Sequence, residues 1–347
     1  MPLKLVSLAL QRNQSDRIRF PSEPGHVTVR LRVGTHVDDL PAMAALRNRC
    51  NEADGTEEVY TVEMLENDRA HASGWDPSRD QMVAELDGVL AGWATASIHE
   101  AQTGEQILEA NVRVDPVHRG RGIGRALLRA AEARLRERAV AEPYEGRRIL
   151  STYATDTAPG AGRLFKSEGF RPARYYFHMV RPGLDGLAEP ELPEGIDVRP
   201  VREAELDAIF DAEEEAFSDE WLEAQPTAQD RRRYLGDPRV DPALWQVGWD
   251  GDEVAGIVFP AVDADANARY GRRRVVLDAV AVRGAFRRRG LATALMLRAL
   301  QAARDAGLTS ADLWVDSANP SGAIRIYERL GFEAVLRSTA YHKELKA

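Results

Sequence analysis

The chain has 347 residues, 44% hydrophobic and 29% charged, with a formal net charge of −9 at pH 7, which predicts two soluble domains of about 150 residues rather than disorder. Its acidic balance argues against nucleic acid as a partner, and no apolar run approaches the roughly 20 residues of a membrane span. The single cysteine, Cys50, excludes an internal disulfide and a cysteine-based metal cluster.

In chain order, residues 1–26 read as an N-terminal strand or extended arm, with no cleavage site of a signal peptide. "VRLRVGTHVDDLPAMAAL" from Val29 reads as a strand running into a helix, and "DQMVAELDGVLAGWATASI" from Asp80 as a hairpin turning at Asp87-Gly88. "ANVRVDP" from Ala110 has the period of two of a strand. "HRGRGIGRALLRAAEARLRE" from His118 then passes through arginines and glycines into a helix, whose Leu127, Leu128, Ala131 and Leu135 share one face. "RRILSTYATDTAPGAGRLFKSEGF" from Arg147 reads as strand, turn, short helix and glycine cap. The proline- and glycine-rich "RPGLDGLAEPELPEG" from Arg181 reads as a linker.

After the linker the same series begins again. "IDVRPVREAELDAIFDAE" from Ile196 answers the first strand–helix, and "ALWQVGWDGDEVAGIVFPAV" from Ala243 answers the hairpin, turning at Asp250-Gly251. "LDAVAVRG" from Leu277 precedes "FRRRGLATALMLRALQAARD" from Phe286, with Leu295, Met296, Ala299 and Ala303 on the helix face. "SADLWVDSANPSGAIRIYERLGF" closes the copy, Gly331-Phe332 matching Gly169-Phe170. The chain is therefore an internal duplication of the α/β class. Its parts are a first domain over 27–181, a linker over 182–195 and a second domain over 196–347, each a mixed, mostly antiparallel sheet flanked by helices. Two further arginine triplets, 231–233 and 272–274, read as solvated faces.

A strand ending in arginines and glycines that open a helix suits a diphosphate. Glycines turn backbone N–H groups toward one point, the helix start adds partial positive charge, and arginine adds direct charge. A glycine-relieved turn with exposed arginines is the alternative for a single copy; repetition weighs against it. Gly120, Gly122 and Gly124 only half match a dinucleotide fingerprint, the second copy keeps Gly290 alone, and no Gly-Lys-Ser/Thr loop occurs.

Arg-x-x-Gly-x-Gly/Ala after a valine-rich strand resembles the acyl-CoA signature of the GNAT N-acetyltransferases. It stands here as Arg119, Gly122 and Gly124, and again as Arg287, Gly290 and Ala292. The resemblance runs as two consecutive domains over nearly the whole chain after residue 27. It implies acetyl-CoA as co-substrate, with no metal. Val280, Ala281 and Val282 would pair with the pantetheine arm in a splayed gap of the sheet. Arg287, Arg288, Arg289, Gly290, Leu291, Ala292 and Thr293 would hold the pyrophosphate. Val112 to Val114 would be the matching strand of the first domain, with Arg119, Gly120, Arg121, Gly122, Ile123, Gly124 and Arg125 as its loop. Asn319 matches an asparagine that contacts the cofactor arm, and Tyr327 the tyrosine that protonates the departing thiolate.

Direct transfer to an amine needs a base as well. Asp278 is the first candidate, and the cluster Glu213, Glu214 and Glu215 with Asp219 and Glu220 the second. Tyr327 also reads as a core residue and Asp278 as a hydrogen-bonded strand carboxylate. The halves are unequal: Phe165 stands where Tyr327 does and Thr157 where Asn319 does, and phenylalanine donates no proton. The first domain is thus expected to be structural or regulatory, and the second catalytic. The expectation is a cytoplasmic N-acetyltransferase of a small-molecule amine, monomeric or homodimeric, with no membrane partner. A non-catalytic acyl-CoA sensor or scaffold is the alternative; acetylation of a cysteinyl pseudodisaccharide is a narrower one.

Overall fold

The computed structural model describes residues 16–19, 28–218, 221–222, 224–319 and 321–345. The first half holds β1 (Asp16–Arg19), β2 (Thr28–Val33), α1 (Leu40–Asp54), α2 (Val62–Ala70), β3 (Gln81–Leu86), β4 (Val89–Glu100), β5 (Gln106–Val114), α3 (Ile123–Ala141), β6 (Arg148–Thr155), α4 (Pro159–Ser167) and β7 (Arg171–Arg181). The second holds β8 (Ile196–Val198), α5 (Leu206–Phe217), α6 (Ala228–Leu235), β9 (Gln246–Asp250), β10 (Glu253–Ala261), α7 (Ala264–Arg269), β11 (Arg274–Val282), α8 (Leu291–Asp305), β12 (Ser310–Asp316), α9 (Ala323–Arg329) and β13 (Glu333–Glu344). Of the expected N-terminal arm, residues 16–19 form an edge strand paired with β2; the rest lies outside the described residues. No helix among the described residues is long and apolar enough to cross a membrane.

Local chemistry accounts for the elements. Asp87 and Gly88, both at positive φ (50° and 81°), make the tight turn between β3 and β4. Thr61 caps α2 through the Met64 N–H, and Thr227 with Asp230 forms a capping box on α6. The apolar faces read from the helical spacing are all buried. Leu127, Leu128, Ala131 and Leu135 of α3 enter the first core, and Leu295, Met296, Ala299 and Ala303 of α8 the second. Each fully buried leucine contributes about 1.5–3 kcal/mol.

The two repeats form one continuous sheet, ordered β1-β2-β3-β4-β5-β6-β13-β7-β12-β11-β10-β9-β8. Each repeat gives its last strand to the other. β13 pairs with β6 of the first half, β7 pairs with β12 of the second, and β7 and β13 pair with each other. Tyr341 of β13 is accordingly buried in the first core and Met179 of β7 in the second. The proline-rich connection must then travel from the middle of the sheet to its far edge. It does so packed on the second core, with Leu184 buried and Gln301 of α8 donating to the Ala188 carbonyl at 3.1 Å.

The triplet at 272–274 is not a solvated face: Arg272 and Arg274 both bind Glu57 of the first half. Arg231 is likewise paired, with Asp211 at 2.7 Å. Because neither core is complete without the other repeat's strand, urea or heat should unfold the chain in one cooperative transition. Two separated transitions, followed by tryptophan fluorescence and circular dichroism, would refute that coupling.

Candidate active site

Both repeats contain one parallel strand pair, and in both it comes apart. β5 and β6 are in register from Gln106–Arg148 to Glu109–Ser151, and β11 and β12 only from Arg274–Ser310 to Val276–Asp312. Beyond Val276, β11 continues to Val282 while held by β10 on its other edge. The backbone edge of residues 280–282 that faces β12 therefore has no strand partner among the described residues, and neither does that of residues 112–114 facing β6. An extended polar ligand can add itself to such an edge.

The loop after each strand has a matched conformation. Gly120 and Gly122 have φ of 78° and 86°; Arg288 and Gly290 have 63° and 87°. Alternation of left-handed residues aims successive N–H groups to one side, and Gly122 and Gly290 are the N-caps of α3 and α8. The N–H groups of residues 120–125 and 288–293 have no acceptor among the described residues, which leaves six donors at the start of each helix. That arrangement suits a diphosphate.

The arginines serve this loop differently from the expectation. The Arg287 Nε donates to the Val282 carbonyl at 2.9 Å and its Nη2 to the Ala216 carbonyl at 2.8 Å. Arg119 reaches the Val114 carbonyl at 3.3 Å and forks onto Asp54 at 2.6 and 2.9 Å. Both tie the strand end to the first helix of their repeat. Arg289 is used on the Glu194 carbonyl at 3.0 Å and Arg125 on Glu168 at 2.8 Å. Arg288 and Arg121 are left as the cations of their loops.

Asp278 is the extra residue of a β-bulge. Phe259 pairs with Ala279 and Pro260 with Leu277, so Asp278 has no partner in β10. The bulge keeps Val275, Leu277, Val280 and Val282 all on the α8 side, in or against its core, and turns the Asp278 carboxyl out of the ladder. It is accessible on the cleft wall, crowded by surrounding protein atoms. Burial pushes its pKa up to about 6; Arg239 opposes this and Asp237 adds to it. The Tyr234 hydroxyl makes a long 3.4 Å contact to Oδ2, and burial together with Asp278 holds that phenol protonated.

Asp278 opens into a single cleft of about 2480 Å³ running across both halves. Its walls include residues 279–282, Arg287, Arg288, residues 290–293, Asn319 and Tyr327. Tyr327, on α9, is 6% exposed with its ring 6.2 Å from that of Phe332, so it is packed in the core and present on the cleft wall at once. Asn319 accepts the Ser321 N–H at 2.8 Å, forming the turn before α9. Glu213 and Glu214 line the cleft, while Glu215 pairs with Arg283 at 2.7 Å; Asp219 and Glu220 lie outside the described residues.

The first repeat departs at three points. β4 and β5 pair without a bulge, so no carboxylate is turned out at the place of Asp278. Phe165 is 2% exposed, with Phe170 and Tyr341 at centroid distances of 6.2 and 5.5 Å. The mouth of the gap is strapped: Thr157, after β6, donates to the Asp54 carbonyl at 2.5 Å, and Arg119, after β5, holds the Asp54 carboxylate. The cleft walls include none of residues 119–125.

The cleft also contains residues the sequence reading passed over. Glu109, Asn111 and Arg113 project from β5, and Arg47 from α1. A signal existed: three polar residues at i, i+2 and i+4 of a strand lie on one face. The bulge had one too, since apolar residues 275 and 277 resume at 280, a spacing of three where a regular strand has two.

The sequence profile of the Acetyltransferase (GNAT) family matches residues 40–166 and 206–332, once in each half. The mycothiol acetyltransferase of Thermobispora bispora is 32% identical over 310 residues, which cover 88% of this chain and 96% of that protein. That of Geodermatophilus obscurus is 32% identical over 300 residues, 84% and 90% of the two chains. Among solved structures, a GCN5-related N-acetyltransferase from Sphaerobacter thermophilus is 26% identical, with a TM-score of 0.69 over 92% of this chain and 96% of that one. A tandem GNAT protein from the clavulanic acid biosynthesis pathway, 16% identical, shares the fold with a TM-score of 0.68 over 92% and 99%. The duplication read from the sequence is thus two copies of one family's fold: the chain belongs to the acetyltransferase (GNAT) family, and it is an acetyltransferase.

Proposed function

We propose that the second half transfers an acetyl group from acetyl-CoA to a primary amine by direct attack, and that the first half is non-catalytic. The observation that carries the reading is the β11–β12 gap, where an open strand edge, six unpaired N–H donors and a bulged carboxylate meet in one cleft. Residues 288–293 hold the pyrophosphate with backbone N–H groups, aided by the Arg288 charge, and residues 280–282 hold the pantetheine arm. Asn319, on the cleft wall beside them, contacts that arm. Bound acetyl-CoA supplies a thioester carbonyl for attack and a thiolate leaving group.

Asp278 takes a proton from the incoming ammonium and releases it to solvent, freeing the lone pair that attacks. As the carbon–nitrogen bond forms and the carbon–sulfur bond breaks, Tyr327 delivers a proton to the sulfur. The second proton lost by the nitrogen restores the phenol. A protein N–H along β11 polarises the carbonyl. Arg119 to Arg125 and Val112 to Val114 keep the form of a site, but the Asp54 strap and Phe165 make the first half a structural partner.

Isothermal titration calorimetry should therefore find one acetyl-CoA per chain, and thiol release should follow addition of a suitable amine. Absence of binding would overturn the reading. Tight binding without turnover across a broad amine panel would favour an acyl-CoA sensor. Similarity to mycothiol acetyltransferases along most of the chain supports a narrower alternative, acetylation of a cysteinyl pseudodisaccharide. That compound belongs in the panel.

A further inference from the structure

Two guanidinium groups on the cleft wall have no counter-ion among the described residues. Arg47 on α1 and Arg113 on β5 both line the cleft, and neither has a hydrogen bond or ion pair to any described residue. Their neighbours show how unusual this is: Arg49 is held by Asp115 at 2.6 Å and Arg119 by Asp54 at 2.6 Å. Arg47 lies over the Tyr60 ring, 3.0 Å from its centroid. Its Nε is sealed from solvent without an acceptor, so the two Nη groups are its open end. Burial holds its proton affinity below the ordinary value, and the nearby positive charge of Arg113 lowers it further.

The acids around the pair offset it only in part, and Arg113 draws the Glu109 carboxyl toward its ionised form. Glu109, two positions along the same face from Asn111 and four from Arg113, accepts a hydrogen bond from Asn111, and burial pushes its pKa up to about 7. Asp68 is engaged with Arg233 at 3.6 Å, and Glu58 and Asp68 act on Arg47 through space without a hydrogen bond or ion pair to it. An uncompensated cation in a confined site is costly, and an anion from outside would offset that cost with charge-assisted, bidentate hydrogen bonds. Arg47, Arg113 and Asp278 line the same cleft. Tyr60 lies in the fields of both Arg47 and Arg239, and Arg239 in those of Tyr60 and Asp278.

We infer that the cleft takes an acceptor carrying a carboxylate or a phosphate, its amine at Asp278 in the second half and its anionic group between Arg47 and Arg113 in the first. This rests on the transferase reading above, and it gives the first half a part in binding the acceptor without any chemistry of its own. Phosphate and carboxylate share the recognition chemistry; the length and shape of the acceptor separate them.

Matched amines test it with the full-length protein and acetyl-CoA: ethanolamine, β-alanine and O-phosphoethanolamine, then glucosamine and glucosamine 6-phosphate. In each set the anionic member should have kcat/KM about 10- to 100-fold above the neutral one, through KM, the range set by charge-assisted hydrogen bonds. Preference for β-alanine would assign a carboxylate, and preference for the phosphorylated members a phosphate. Arg113→Gln and Arg47→Gln should each collapse the ratio, with acetyl-CoA affinity by calorimetry as the check that the fold is intact.

Equal turnover of neutral and anionic members, or a ratio that survives both substitutions, overturns the anion site and leaves the transferase standing. Should no amine turn over, inorganic phosphate decides separately. A rise in Tm that Arg113→Gln abolishes supports the anion site and counts against the transferase; no rise overturns the site. Arg47→Gln should itself raise Tm without ligand, because it removes an unpaired charge. A clear fall would mark Arg47 as structural and overturn its role.

Discussion

Replacing Tyr327 by phenylalanine is expected to lower kcat for acetyl transfer by about 10²- to 10⁴-fold, the usual span for a general acid, while acetyl-CoA affinity stays unchanged. Tyr327 is buried beside Phe332 on α9, yet it belongs to the wall of the cleft that contains the opened strand edge. A phenol there is a donor whose basicity approaches that of an alkyl thiolate. The substitution is sterically mild, and the chain itself contains the precedent: Phe165 fills the corresponding position of the first half against Phe170 and Tyr341. Stability should move by no more than about 1 kcal/mol, the net worth of one hydrogen bond. Steady-state kinetics with calorimetry as the binding control decides it, and unchanged turnover returns Tyr327 to the core.

Asp278→Asn should cost about 10²- to 10⁴-fold in kcat/KM and remove a specific feature of the pH profile. A carboxyl raised to about 6 is a base only when ionised. The wild-type kcat/KM should therefore fall as pH drops through 6, about tenfold per unit below it, and the variant should lack that limb. The stability effect has the opposite sense. The folded state binds this proton more tightly than the unfolded chain does, so the contribution of Asp278 to stability is full below the ordinary carboxylate range. It is lost as pH rises through 6. The variant should thus gain stability relative to the wild type at pH 8 and not at pH 4. A wild-type profile flat between pH 5 and 8, or a limb that persists in the variant, would move the base to Glu213 or Glu214, the other acids on the cleft wall.

Much of the fold was legible because its signals are local. The change of period from two to 3.6 at each arginine–glycine loop marked strand and helix, and every apolar residue named on α3 and α8 is buried. Gly122 and Gly290 sit at the left-handed caps that their positions demanded. The substitution of Phe165 for a tyrosine was visible by aligning the chain with itself. The partners of the signature arginines were not legible: Arg119 reaches the helix end at Asp54 and Arg287 that at Ala216. Spacing along the chain says nothing about which acceptor arrives first.

The amino-acid sequence by itself determined the duplication, the α/β class, the two helix-capping loops and the phenylalanine that stands for a tyrosine in one copy. Each of these is decided by neighbours within a few residues or by comparing the chain with itself. Tertiary structure alone decided the exchange of β7 and β13, the strap that Asp54 lays across the first gap, and the shared cleft in which Arg47 and Arg113 of one half meet Asp278 of the other. Those pairings join residues from 65 to well over a hundred positions apart, and identical periodicity is compatible with either partner strand. Register and exchange are chosen by the total burial of both cores, a quantity that no stretch of sequence carries.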